Sequence, residues 1–158
     1  MSKLKYGYGH LDAAQLLKDD YNVSADIWSV TSFTELRHEG LAKKRYNLLH
    51  PKEEQQSYVE QLLENRQGPV IAATDYMRLF ADQIRPFVKA SYVTLGTDGY
   101  GRSDTRAKLR HFFEVNDKFI VITALNALAD DGAIGKDIVM DALQRYKINP
   151  DKIDPATH

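Results

Sequence analysis

The feature that most constrains this 158-residue chain is a run of four apolar residues, VIAA at 70–73, which follows Gly68-Pro69. No polar residue alternates with the apolar ones, so neither face of the run suits water. Such a strand belongs in a parallel sheet with helices on both sides. ADIWSV at 25–30 and SYVTL at 91–95 read as further strands, being rich in β-branched and aromatic residues.

Helical spacing fills the intervals. Leu11, Ala14, Leu17 and Tyr21 form a first apolar stripe. Ser32 with Glu35 is a capping-box pattern at the start of a helix through ELRHEGLAKKRYNLL. Gly40 inside that helix costs about 1 kcal/mol against Ala, which points to a close neighbour or a break. Pro51 suits the first position of a helix over HPKEEQQSYVEQLLEN. Thr74 or Asp75 caps DYMRLFADQIR, with Met77, Phe80, Ala81 and Ile84 on one side. DTRAKLRHFFEV, a mostly buried NDKFIVITALNALADDG and an amphipathic IGKDIVMDALQRY complete the helices. The last points Ile134, Ile138, Val139, Ala142 and Tyr146 inward. The tail, INPDKIDPATH, reads as a surface ending.

The order α-β-α-α-β-α-β-α-α-α predicts one α/β domain over 1–158, a three-layer α/β/α unit with a mostly parallel sheet. Residues 3–8, KLKYGY, are a candidate edge strand. Gly7-Tyr8-Gly9 reads as a turn before the first helix.

The chain has 21 Lys and Arg against 22 Asp and Glu, a formal net charge of -1, and no cysteine. A balanced charge excludes nucleic acid or a membrane surface as a general partner. Thiolate chemistry and disulfides are excluded outright. No apolar run approaches the roughly 20 residues of a bilayer span, and the start lacks the apolar core of a signal peptide. The expectation is a soluble cytoplasmic protein. His10, His38, His50, His111 and His158 show no metal-ligand spacing.

GTDGYGRSD at 96–104 follows the SYVTL strand, at the sheet end where open parallel sheets bind ligands. Gly99 and Gly101 would let backbone N–H groups face an anion, and Arg102 would add a fork of donors. Arg102, Arg106 and Arg110 lie four apart, one stripe of a helix beginning near Ser103. The plainer reading is a turn at Gly99 and Gly101 with Ser103 or Asp104 as helix cap. The loop lacks the third glycine of a dinucleotide fingerprint and the Lys-Ser/Thr of a phosphate loop.

Longer strings carry a resemblance. SADIWSVTSFTELRHEG, NLLHP, TDYMRLFADQIRPFV, TLGTDGYGRSDTRAKLRHFFEV and YKINPDKIDP resemble, in order and spacing, the C-terminal domain of the decarboxylating first component of pyruvate dehydrogenase. The similarity runs from about Ala13 to the end and is to the bacterial homodimeric type. It implies the C-terminal-domain fold of transketolase-like enzymes. It implies a parent that decarboxylates pyruvate with thiamine diphosphate and Mg and passes acetyl to a lipoyl group on dihydrolipoyl acetyltransferase.

The cofactor site and catalytic residues of such enzymes lie in preceding domains. No catalytic, cofactor-binding or metal-binding residue is therefore assigned to this chain, which is expected to be structural and inactive alone. Its expected partners are the remaining domains, the second subunit of a homodimer and the acetyltransferase. The candidate interface is the loop Gly99, Gly101, Arg102, Ser103, Asp104 and Arg106.

The start departs from the family, whose members have a longer apolar strand and a glycine-rich turn there. Residues 1–12 read as a truncated or engineered beginning, or as a divergent stand-alone form, leaving a sheet edge open to another copy. A free-standing anion- or nucleotide-binding module and a pure interaction domain are the alternatives.

Overall fold

Val70–Ala73 (β1) and Tyr92–Leu95 (β2) pair in parallel, with Val70 opposite Tyr92 and Ala73 opposite Leu95. The computed structural model describes residues 8–99 and 101–157. Around the sheet lie α1 (Tyr8–Tyr21), α2 (Phe33–Leu49), α3 (Tyr58–Leu63), α4 (Arg78–Asp82), α5 (Arg106–Phe112), α6 (Asp117–Asp130) and α7 (Lys136–Arg145). This is an α/β arrangement, helices around a small parallel sheet.

The alternation of side chains along β1 explains why all four residues are apolar. Ile71 and Ala73 pack with Leu95 against a cluster built on α1, α6 and α7, centred on Leu17, Val121, Leu125 and Ala142. Val70 and Ala72 pack the other way, with Tyr92, against Val59, Ile84 and Phe87. Each face of the strand serves a different core.

α6 confirms the reading of NDKFIVITALNALADDG as a buried helix. Asn116 caps it, accepting from Phe119 N at 3.1 Å. Phe119, Ile120, Val121, Ala124, Leu125 and Ala127 are buried along it. α7 buries Val139 and Ala142, with Tyr146 just beyond its end, as its periodicity predicts.

Several expectations are corrected. Residues 25–30 form no strand, since among the described residues no hydrogen bond reaches the backbone of 24–31. The segment is held by side chains instead: Arg66 pairs with Asp26 at 2.8 Å and lies over the Trp28 ring. The edge strand proposed at 3–8 falls largely outside the described residues. Tyr8 and Gly9, read as part of a turn, begin α1. The buried face of α1 is Ala13 and Leu17, and Leu11 is exposed.

Pro51 starts no helix. Asn47 brackets Gln55, donating to its carbonyl at 2.8 Å and accepting from its N–H at 2.9 Å, which holds 51–57 against α2. The reciprocal capping box belongs to Ser57 and Glu60 at the head of α3. At α2, Ser32 accepts from Glu35 N, half of the expected motif.

Gly40 is buried in α2 because α2 crosses Phe87 there. A Cβ on Gly40 would lie 2.5 Å from the Phe87 ring, itself only 2% exposed. The sequence expectation of a close neighbour holds. Gly40→Ala is expected to lower stability by about 1–2 kcal/mol, because overpacking of roughly 1–3 kcal/mol exceeds the helix-propensity gain. Urea unfolding checks this, and a Phe87→Leu background should remove most of the loss.

Candidate functional site: coupled loops at the strand ends

The loops leaving β1 and β2 lie side by side and are tied together. Thr97 donates its backbone N–H to the Tyr76 carbonyl and its hydroxyl to the Asp75 carbonyl, both at 2.9 Å. Asp98 accepts from Arg78 N at 3.3 Å, serving the first turn of α4 from another loop. Its carboxylate lies 2.9 Å from Arg78 Nε, a charge contact without hydrogen-bond alignment. Gly96 permits this approach, since a Cβ there would sit 2.5 Å from Arg78 N. Thr74 accepts from Tyr76 N in a local turn, and α4 starts at Arg78, later than the expected cap at Thr74 or Asp75.

Asp75 is freed for a different role. It accepts from Arg110 at 2.7 Å and 3.1 Å and from Arg106 at 3.2 Å. Burial pushes its carboxyl upward, but the hydrogen bonds and charges of Arg110 and Arg106 prevail and hold it below the ordinary range. His10 on α1 lies in the same field. Burial, then Arg110, lowers its affinity for a proton, with Asp75 opposing.

Two residues of the arginine stripe thus join α5 to the end of β1. The third, Arg102, lies 3.9 Å over the Phe112 ring. Sequence reasoning considered Asp75 only as a cap. An acid at one strand end facing two arginines four apart was the available signal.

The 96–104 loop is shaped by the C-terminal tail. Gly99 has φ 122°, and a Cβ on it would lie 2.0 Å from the Pro155 carbonyl oxygen. Gly101 has open space around its Cβ position and is not a left-handed residue. The turn therefore depends on Gly99 alone of the two. Ser103 and Asp104 do not cap α5 directly; Thr105 does, and Asp104 accepts from Thr105 N at 2.7 Å. Lys152 anchors the tail, donating to the Phe112 carbonyl and pairing with Glu114 at 2.9 Å. The ending expected on the surface is a strap, with Ile148 and Pro155 buried.

This construction presents apolar surface. Tyr76, Met77, Leu79 and Phe80 are 71%, 50%, 68% and 43% exposed, on the segment that Thr97 and Asp98 fix in place. Of the expected apolar side of this helix, only Ala81 and Ile84 are buried. Asp98 and Asp104 stand in the neighbouring loop, which does not favour an anion there. A shallow groove of about 220 Å³ beside Arg102, Ser103, Asp104, Lys108 and Phe112 has its Lys108 paired with Asp104 at 3.6 Å. Among the described residues no three His, Asp or Glu side chains converge as metal ligands. No described helix is long and apolar enough to cross a membrane.

Gly99→Ala is expected to cost about 1–3 kcal/mol, because both its positive φ and the Pro155 contact oppose a Cβ. Gly101→Ala should change stability by less than about 0.5 kcal/mol. Amide exchange over 149–157 should rise in the first variant only.

Asp75→Asn should lower stability at neutral pH by about 1 kcal/mol or less, the ion pairs being open to water. A depressed carboxylate contributes fully above its ordinary 3.8, and the contribution is lost as pH falls through the folded value. Melts of wild type and variant should converge at acid pH.

The profile of the transketolase-like TK C-terminal domain matches residues 9–116. The chain is 56% identical over 144 residues to the pyruvate dehydrogenase E1 component of Cupriavidus necator, covering 90% of this chain and 16% of that protein. It is 54% identical over 146 residues to that of Pseudomonas aeruginosa, covering 91% and 17%. For Escherichia coli K12 the figures are 47% over 146 residues, 91% and 16%. The chain thus spans about a sixth of these relatives' length, in their C-terminal region.

Proposed function

We propose a function from one premise: the chain belongs to the transketolase-like C-terminal domain family. In this reading it is the C-terminal lobe of a pyruvate dehydrogenase E1 component. The complete enzyme decarboxylates pyruvate with thiamine diphosphate and Mg and passes the acetyl unit to the lipoyl group of dihydrolipoyl acetyltransferase, in the cytoplasm. The lobe itself is inactive, and its work is assembly. Its sheet is the centre of a three-layer α/β/α unit.

One observation carries the assembly role. The strand-end loops are spent on fixing each other, and what they hold outward is Tyr76, Met77, Leu79 and Phe80. An apolar patch held rigidly in the open marks a protein contact. Asp75, Arg106 and Arg110 satisfy one another inside the lobe, so the loop offers structure rather than an acid–base pair. The face docks on the remaining domains of the enzyme and on the second subunit of its homodimer. Arg102, Ser103 and Asp104 are exposed in the loop that follows Thr97 and Asp98.

Two measurements test this. Calorimetric titration of thiamine diphosphate with Mg into the chain should give no saturable heat, and strong magnesium-dependent uptake would contradict the reading. In the complete enzyme, Leu79→Lys should reduce assembly and activity, whereas in the isolated chain the same exposed substitution should change stability by under about 0.5 kcal/mol. Arg102→Ala in the following loop should weaken assembly less. Full assembly and activity in the Leu79 variant would dispose of the docking face.

A further inference from the structure

A second groove, of about 440 Å³, shares no residue with the strand-end loops. Its volume falls within the roughly 300–1,000 Å³ of small-molecule sites. α2 contributes Lys43, Lys44 and Asn47, and Lys89 enters from beyond the Arg85–Phe87 turn. Two of these lysines are anchored. Lys43 Nζ donates to Gln55 Oε1 at 2.9 Å, on a residue whose backbone Asn47 clamps from both sides. Lys44 Nζ lies 5.0 Å over the buried Phe87 ring. An ammonium group has three donors, so each anchor leaves others for a ligand.

Among the described residues none of Lys43, Lys44 and Lys89 has an ion pair. Arg110, Arg145, Lys108 and Lys152 elsewhere in the chain all do. The groove has two carboxylates, and neither neutralises the lysines. Glu60 Oε2 is committed to Ser57, accepting from its N–H and its hydroxyl at 2.8 Å each. Burial pushes the Glu60 carboxyl up, but the Ser57 hydrogen bonds and the charges of Lys89 and Lys44 outweigh it and hold the group below its ordinary range. Glu54 is exposed and pairs with none of the three. Like charges gathered in one concavity repel, and an anion placed among them removes that cost.

We infer that this groove binds the phosphate group of a small polar phosphate monoester. A planar carboxylate is matched by the fork of an arginine, whereas lysines act on phosphate as point charges. Among the described residues the lining contains no arginine and no aromatic ring. Ammonium groups from separate positions suit a tetrahedral dianion, and nothing there would stack a nucleotide base. The thiazolium cation and bound magnesium of a thiamine diphosphate complex are disfavoured beside three lysines, so titration with that cofactor reports on a different question. The site does not depend on the docking role of Leu79 and Phe80.

Amide chemical shifts of the chain, followed on addition of glycerol 3-phosphate at low salt, provide the test. Saturable shifts should be confined to residues 43–47, 55–57 and 89, and added sodium chloride should weaken them. Lys44→Gln combined with Lys89→Gln should reduce affinity by about tenfold or more. Lys18→Gln, at an exposed lysine of α1 that also lacks an ion pair, should leave it unchanged. Glycerol should cause no shift and citrate a weaker one. If the double variant fails to fold, the map of wild-type shifts decides in its place.

Absence of a saturable shift overturns the proposal, as do shifts centred elsewhere or an affinity indifferent to the two glutamine substitutions. Citrate binding as tightly as the monoester would make the groove a general anion sink and overturn it. Tighter binding of an oligoglutamate peptide would make it a protein contact and overturn it equally.

Discussion

A strand packed on both faces finds its backbone hydrogen bonds at its edges, and the rest of this molecule is arranged around that constraint on β1. Its side chains alternate between two cores, so helices close it above and below. One edge is satisfied by β2 in a parallel register that requires the chain to cross over through α4 and the turn at Arg85–Phe87. The other edge is open among the described residues. The crossover and the crowding of Phe87 on Gly40 both lie around this one strand.

The strand ends show how a loop of glycines and acids works without a ligand. Asp98 and Thr97 spend their hydrogen-bonding groups on the adjoining loop, and Asp75 spends its carboxylate on α5. Surface ion pairs of this kind contribute little stability one by one. Their effect here is positional. They fix the direction in which Tyr76, Leu79 and Phe80 face, which an isolated five-residue helix could not do for itself. The tail adds a further constraint by filling the space beside Gly99.

The long strings shared with pyruvate dehydrogenase E1 components were legible in the residues because they are unusual in order and spacing. The chemistry of the loop was less legible. From Gly96 to Asp104 the sequence favoured a turn and cap over anion binding without excluding the second, because both use glycine, arginine and a small polar residue. Which applied depended on residues distant in sequence: Tyr76, Arg78 and Pro155 occupy the places that a ligand would need. Thr105, unnoticed in the sequence, became the cap because the helix begins at Arg106, after the bend at Asp104.

The sequence by itself determined the elements whose signals are local. The buried α6 follows from an unbroken apolar run with Asn116 before it, and α7 from its stripe of Ile138, Val139 and Ala142. It also determined that β1 would be parallel and covered, since no other environment suits VIAA. Tertiary structure alone decided whether ADIWSV became a strand. β-propensity describes how a residue fits beside a neighbouring strand, and a segment with no described strand beside it stays unpaired however well it is composed. It alone decided, too, that Asp75 would meet Arg106 and Arg110 across about thirty positions of sequence. Helical periodicity is written in one segment of chain; a strand's partner and an acid's counter-ion are supplied by another.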